Sequence, residues 1–273
     1  MKGCEYFMTD EEFYRIYTFL KSRYGIDMGR KKEIVVGRME HYIKMKGYPS
    51  YTAYMNVLEK DITGNLEKEL VNLLTTNHTF FMREHEHFDY LKQIVLPWLR
   101  QKEAKNKDLC IWCGAASTGE EPYTLAMIMK EFFGLEHHLW NTEILATDIS
   151  TEVLRQAIRG KYTREQIDKI PQAWKNRYFR EDINHEFEVS EEIKKEVIFR
   201  QFNLMDPFPF KRKMHIVFLR NVMIYFDSAT KRQLIQKVYD VMEPGGYLFI
   251  GRTEVIDRKQ IPFQFVKPSI FRK

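Results

Sequence analysis

Leu109-Cys110-Ile111-Trp112-Cys113-Gly114-Ala115-Ala116-Ser117-Thr118-Gly119-Glu120-Glu121-Pro122-Tyr123 is the stretch whose reading decides the fold. A short apolar run (Leu109, Ile111, Trp112) stops at small residues, and Pro122 stands where a helix through Met129 can begin. The pattern predicts a strand, a tight turn and a helix. Small side chains from Gly114 to Gly119 let a ligand approach backbone N–H groups at the helix N-terminus. The turn is neither a phosphate loop nor the Gly-x-Gly-x-x-Gly dinucleotide fingerprint, since the residues of both are missing. Glu120 and Glu121 would repel a pyrophosphate and favour a cationic ligand. S-adenosylmethionine is the positively charged candidate.

The rest of this half alternates strand and helix. Ile144-Leu145-Ala146-Thr147 reads as a second strand ending at Asp148, a carboxylate placed to accept both ribose hydroxyls of an adenosyl ligand. Its other role, capping the next helix, is better filled by Ser150. His215-Ile216-Val217-Phe218-Leu219 is fully apolar, as a central parallel strand requires, and leads into Arg220-Asn221 at its ligand-facing end. Glu243-Pro244-Gly245-Gly246 is expected to turn into the strand Tyr247–Ile250, and Phe263–Val266 with Ser269–Phe271 into a terminal hairpin. Phe187-Glu188-Val189 and 197–202 read as further strands.

Residues 1–75 read as an all-helical unit. Thr9-Asp10-Glu11-Glu12 is a capping box opening a helix that Gly25 ends; further helices begin near Arg30, after Ser50 and near Asn65. Arg30, Lys31, Lys32, Arg38, Lys44 and Lys46 form a basic cluster. An ordinary solvated face and a dock for an acidic helix both fit it.

Composition bounds the class. At 273 residues and 44% hydrophobic, the chain can build one large domain or a large and a small one. No apolar run reaches the roughly 18 residues of a membrane span, and the first residues lack a secretory segment, so the cytoplasm is the expected compartment. The 3 cysteines argue against a disulfide framework. Cys110 and Cys113 lack a second ligand pair and read as buried thiols. His85 and His87 diverge on a helix without a third ligand, so no metal is expected. The net charge of +5 suits an acidic partner. Lys and Arg (43) nevertheless stand among nearly as many carboxylates (38), with no aromatic and arginine platform, which argues against nucleic acid.

Four ordered motifs then carry a resemblance. They are Thr76-Asn77-His78-Thr79-Phe80-Phe81-Met82-Arg83, Ser117-Thr118-Gly119-Glu120-Glu121-Pro122-Tyr123, Thr147-Asp148-Ile149 and Arg220-Asn221-Val222-Met223-Ile224-Tyr225-Phe226-Asp227. Together they resemble the bacterial chemotaxis receptor methyltransferases, the CheR family, over nearly the whole chain; Phe81-Met82 departs from the commoner Phe-Phe before the arginine. The resemblance implies a Rossmann-like, doubly wound α/β methyltransferase domain (76–273), a small helical receptor-facing domain (1–75) and a small antiparallel β insertion at about 180–202.

It also implies S-adenosylmethionine as cofactor, S-adenosylhomocysteine as product and no metal. Asn77, Thr79, Arg83, Glu120, Asp148, Asn203, Leu204, Arg220 and Asn221 carry over as cofactor contacts, with Asn203 and Leu204 bracketing the adenine. The basic cluster would face the cytoplasmic helical region of a chemoreceptor. The insertion is short and lacks a Gly-rich turn, so capture of a tethering peptide at the receptor's C-terminus is not expected.

The implied chemistry is methyl transfer to a glutamate carboxylate, ionised at neutral pH without a general base. That agrees with a sequence showing no Ser/His/Asp or Cys/His constellation. Tyr225, whose hydroxyl needs a partner when buried, is the candidate for orienting the acceptor. Two other functions fit the same residues: methylation of another acceptor such as RNA, and a noncatalytic adaptor that keeps the ligand.

Overall fold

The computed structural model describes residues 7–257 and 261–273; Cys4 lies outside the described residues. The chain forms two compact units. One runs through Thr76 and also takes in Tyr225–Thr230; the other holds Asn77–Ile224 and Lys231–Lys273.

The first unit contains α1 (Asp10–Tyr24), α2 (Lys32–Met45), α3 (Tyr51–Leu58) and α4 (Asn65–Leu74). Thr9 and Glu12 close the capping box on α1, and Gly25, at φ 70°, ends it. Ser50 accepts from Ala53 N at the start of α3. Ile16 and Leu20 of α1, Val35 and Met39 of α2, and Leu70 and Leu74 of α4 are buried, which is the helical periodicity read as burial. Tyr225–Thr230, inside the stretch 76–273, packs with the helical unit. Asp27 N donates to Tyr225 O at 2.7 Å, Ile26 bridges Phe226, and Lys21 pairs with Asp227 at 3.0 Å. These bonds tie the segment to the helical unit.

The second unit opens with α5 (His85–Tyr90), a π turn at Leu91–Val95 and α6 (Leu96–Lys102). Next come β1 (Ile111–Gly114), α7 (Glu120–Phe133), β2 (Ile144–Asp148), α8 (Thr151–Arg159), β3 (Lys161–Tyr162), α9 (Arg164–Ile167), α10 (Gln172–Tyr178), β4 (Phe179–Glu181), β5 (Phe187–Val189) and α11 (Glu191–Lys194). The chain ends through β6 (Val197–Gln201), β7 (Met214–Leu219), α12 (Ser228–Val241), β8 (Met242–Ile250), β9 (Gln264–Lys267) and β10 (Ile270–Arg272).

The large sheet has the order β6-β2-β1-β7-β8-β10-β9. Its first five strands are parallel, and β10 is antiparallel to both β8 and β9. From β1 the chain builds outward through β2 to β6, then crosses back to place β7 on the other side of β1. The strand order therefore reverses between β1 and β7, and their carboxyl ends border the crevice where such sheets bind ligands. Every residue of β1 and β7 is buried, as strands covered on both faces require.

Two expectations are corrected. The stretch 180–202 does not form one insertion: β3, β5 and β4 make the small antiparallel sheet, whereas β6 is the edge of the large one, parallel to β2. Its β-rich sequence is alike in either setting, and only pairing assigns it. Glu243–Gly246 does not precede the strand but lies within β8 as a bulge, with Met214 opposite Met242 and Ile216 already opposite Tyr247.

Candidate functional site

The site in the second unit is built on the turn after β1. Ala115 (φ 60°) and Ser117 (φ 51°) adopt the left-handed conformation, uncommon for residues with a Cβ. Hydrogen bonds hold the turn against that strain. Ala116 N donates to Thr147 O at 2.9 Å, Ser117 N to Asp148 Oδ2 at 2.8 Å, and Ser117 Oγ to Asn77 O at 2.9 Å. Gly119 has φ 99°, and a Cβ there would meet the Tyr162 hydroxyl at 2.9 Å. Only glycine fits the step into α7.

Asp148, at the end of β2, is buried. Its Oδ1 accepts from Ser150 N at 2.9 Å, so the carboxylate joins the turns after β1 and β2. Each oxygen keeps acceptor capacity. Burial raises its pKa against the opposing pull of those N–H donors. Ser150 is the cap of α8, its Oγ accepting from Val153 N, as the sequence predicts.

Glu120 begins α7 and is fully buried. Thr118 Oγ1 donates to its Oε2 at 2.7 Å, but Oε1 has no hydrogen-bond partner. Burial raises this pKa also. A desolvated carboxylate oxygen without a donor, next to a turn of small residues, is a place for a cationic group.

Beyond β7, Arg220 is buried between two carboxylates. Its Nη1 donates to Glu121 Oε2 at 2.7 Å, Nη2 lies 3.2 Å from Glu84 Oε2, and Nη2 also donates to Arg83 O. The guanidinium carbon sits 5.4 Å from the Phe88 ring centroid. Arg220 Nε has no partner. Asn221 is left-handed, with φ 59°; its Oδ1 accepts from Arg83 Nη2 at 2.9 Å, and Arg83 Nη1 donates to His78 O at 2.8 Å. The sequence-based set of site residues includes Arg220 and Asn221 but not the carboxylates on them as such: Glu84 and Glu121 on the Arg220 guanidinium, and Glu254 on the Asn221 N–H. Their sequence separation from Arg220 and Asn221 left no local signal.

Glu121 has a second contact. Cys113 Sγ donates to its Oε1 at 3.0 Å, and burial pushes this thiol well above its usual pKa. Cys113 is thus a buried thiol, whereas Cys110 is only partly buried.

Asn203 closes the turn after β6: its Oδ1 accepts from Met205 N at 3.0 Å, and its Nδ2 donates to Asp206 Oδ1 at 3.3 Å. Leu204 is buried. Thr79 is half-buried in the segment before Phe81, whose ring anchors that segment edge-on against Tyr162 and Phe179. His85 is exposed and His87 buried, and among the described residues no cluster of metal-ligating side chains occurs.

The remaining predicted residues lie in the helical unit. Tyr225 donates from its hydroxyl to Thr76 O at 3.3 Å, and Lys31 Nζ stands 5.1 Å from its ring centroid. Of the basic cluster, Arg38 is turned inward: it donates to Leu74 O (2.8 Å), Thr75 O (2.9 Å) and Thr76 Oγ1 (2.7 Å), capping the end of α4. Lys32 pairs with Asp10, Lys44 with Glu40 at 2.5 Å and Lys46 with Glu69 at 2.8 Å. Arg30 is exposed.

Comparison with known proteins gives this arrangement a family. Residues 77–271 match "CheR methyltransferase, SAM binding domain", and residues 11–75 match "CheR methyltransferase, all-alpha domain". A chemotaxis protein methyltransferase of Borreliella burgdorferi is 39% identical, covering 97% of this chain and 95% of its own. Relatives described in the same words include one from Escherichia coli, 32% identical over 90% of this chain and 85% of its own. Another, from Pseudomonas aeruginosa, is 32% identical over 95% of each chain. With both family domains in order and relatives matched nearly end to end, the chain belongs to the CheR methyltransferase family and is an S-adenosylmethionine-dependent methyltransferase.

Proposed function

We propose that this protein transfers the methyl group of S-adenosylmethionine to glutamate side-chain carboxylates of chemoreceptors, forming methyl esters and releasing S-adenosylhomocysteine. The observation that carries the cofactor assignment is Glu120: a buried carboxylate whose Oε1 lacks a partner, beside a small-residue turn, fits a ligand bearing an ammonium and a sulfonium. The acceptor assignment is supported by relatives described as chemotaxis protein methyltransferases.

In this reading Asp148 receives the ribose hydroxyls, while Asn203 and Leu204 flank the adenine. Glu120 faces the cationic end, Arg83 pairs the methionyl carboxylate, and Asn77, Thr79, Arg220 and Asn221 complete the contacts. When bound, S-adenosylmethionine supplies an electrophilic methyl group on a positively charged sulfur. The chain's own residues then have to position and desolvate. A glutamate acceptor, with a reference pKa of about 4.3, is ionised near neutral pH and asks no base of the protein. Attack by an anion on a cation cancels charge, so partly dry, aromatic surroundings favour it. Tyr225 orients the acceptor carboxylate. The exposed basic side chains of the helical unit, Arg30 first among them, meet the acidic cytoplasmic helices of the receptor, which places the enzyme in the cytoplasm.

The test is incubation of the purified protein with methyl-labelled S-adenosylmethionine and membranes carrying a chemoreceptor. Base-labile label on the receptor, lost in Asp148→Ala, is the expected result. Cofactor binding with no receptor label would overturn the acceptor assignment.

A further inference from the structure

Glu254 does for the backbone after β7 what Asp148 does for the turn after β1. It is buried, and its Oε2 accepts from Gly251 N at 2.6 Å and from Asn221 N at 3.0 Å, while Oε1 accepts from Met223 N at 2.6 Å. Three N–H donors converge on this carboxylate, a group that only accepts when ionised. The bonded segment includes Asn221, whose left-handed φ of 59° would otherwise cost free energy. Gly251 shows how closely the parts fit. A Cβ there would stand 2.9 Å from Asn221 N, Asn221 Oδ1 and Glu254 Oε2.

The consequences reach the side chains of the site. Asn221 Oδ1 accepts from Arg83 Nη2 at 2.9 Å, so fixing the Asn221 backbone also fixes where Arg83 is held. We infer that Glu254 is a positioning residue of the cofactor site, acting through the Asn221 backbone to set Asn221 and Arg83 without touching the ligand itself. This rests on the reading of Asn221 as a cofactor contact.

The experiment is calorimetric titration of the full-length protein with S-adenosylhomocysteine, for the wild type, Asn221→Ala, Glu254→Gln, Gly251→Ala and the Asn221→Ala/Glu254→Gln double variant. Circular dichroism at the titration temperature checks folding. Glu254→Gln keeps the shape but turns an amide NH2 toward the N–H donors, and its affinity is expected to fall about tenfold or more. The double variant should bind no more weakly than Asn221→Ala alone, because both changes break one path. A role in packing alone would add to the loss instead.

Wild-type affinity in a folded Glu254→Gln, with Asn221→Ala weakened, overturns this inference and leaves the site assignment standing. Unchanged affinity in Asn221→Ala overturns both. A wild type that does not bind S-adenosylhomocysteine sinks the cofactor reading on which the inference rests. If Glu254→Gln fails to fold, Gly251→Ala decides: weaker binding is expected from its crowding of Asn221, and unaltered binding refutes the inference.

Discussion

Arg220 and Glu121 form a buried ion pair, Nη1 to Oε2 at 2.7 Å, with side chains only 1% and 15% exposed. Removing one member of such a pair leaves the other charged and desolvated, which costs about 3 to 5 kcal/mol where no second partner exists. Glu84, 3.2 Å away, remains for Arg220, so Glu121→Ala should lose about 2 kcal/mol. Urea denaturation measures this. A variant as stable as the wild type would show that Glu84 alone satisfies the guanidinium.

Glu120 predicts an opposition between stability and binding. Burial raises its pKa above the usual 4.5, so the folded state holds its proton more tightly than the unfolded chain does. Its ionisation therefore removes stability as pH rises from 4.5 through the folded value. Glu120→Gln, uncharged at every pH, should raise the ligand-free melting temperature at pH 7. The same variant should bind S-adenosylmethionine at least about tenfold more weakly, having lost a charged acceptor. Equal binding would remove Glu120 from the site.

His87 sets an acid limit with the opposite sign. Burial and the neighbouring Arg220 guanidinium push its pKa from 6.5 down to about 4. The unfolded chain takes up this proton first, so the stabilisation is complete above pH 6.5 and is lost as pH falls toward 4. Burial lowers His137 and His215 likewise. The ring of His87 packs edge-on against Phe249, which makes His87→Phe a tolerable change. Its denaturation midpoint should fall less between pH 7 and pH 5 than that of the wild type; equal losses would contradict the assignment.

Arg38 and Arg30 should separate structure from docking. Arg38→Ala strips the donors from Leu74 O, Thr75 O and Thr76 Oγ1 and should cost about 2 kcal/mol in stability. Arg30 is exposed, so Arg30→Ala should change stability by less than about 0.5 kcal/mol. If Arg30 meets the receptor, Arg30→Ala raises KM for receptor and leaves KM for S-adenosylmethionine unchanged. Thermal denaturation and initial rates with both substrates check the pair. A destabilised Arg30→Ala, or one with an unaltered receptor KM, would remove Arg30 from the proposed docking face.

The sequence by itself determined those features whose cause is local. The capping box at Thr9, the stop at Gly25 and the apolar run of β7 depend on neighbouring residues, and each forms where its pattern says. Asp148 at the end of β2 and Arg220-Asn221 after β7 were legible for the same reason: an apolar run marks the strand, and the polar residue that breaks it marks the strand's ligand-facing end. Tertiary structure decided what pairing and burial decide. Whether Val197–Gln201 joined the small sheet or the large one, whether Glu243–Gly246 turned or bulged, and to which unit Tyr225–Thr230 returned were settled by partners far along the chain. The same holds for the charges. Arg38 reads as one more member of a basic run until its guanidinium is found on the carbonyls ending α4. Glu254 reads as an ordinary glutamate until three N–H groups converge on it. A charged side chain's role is fixed by what desolvates and pairs it, and those contacts exist only once the chain has folded.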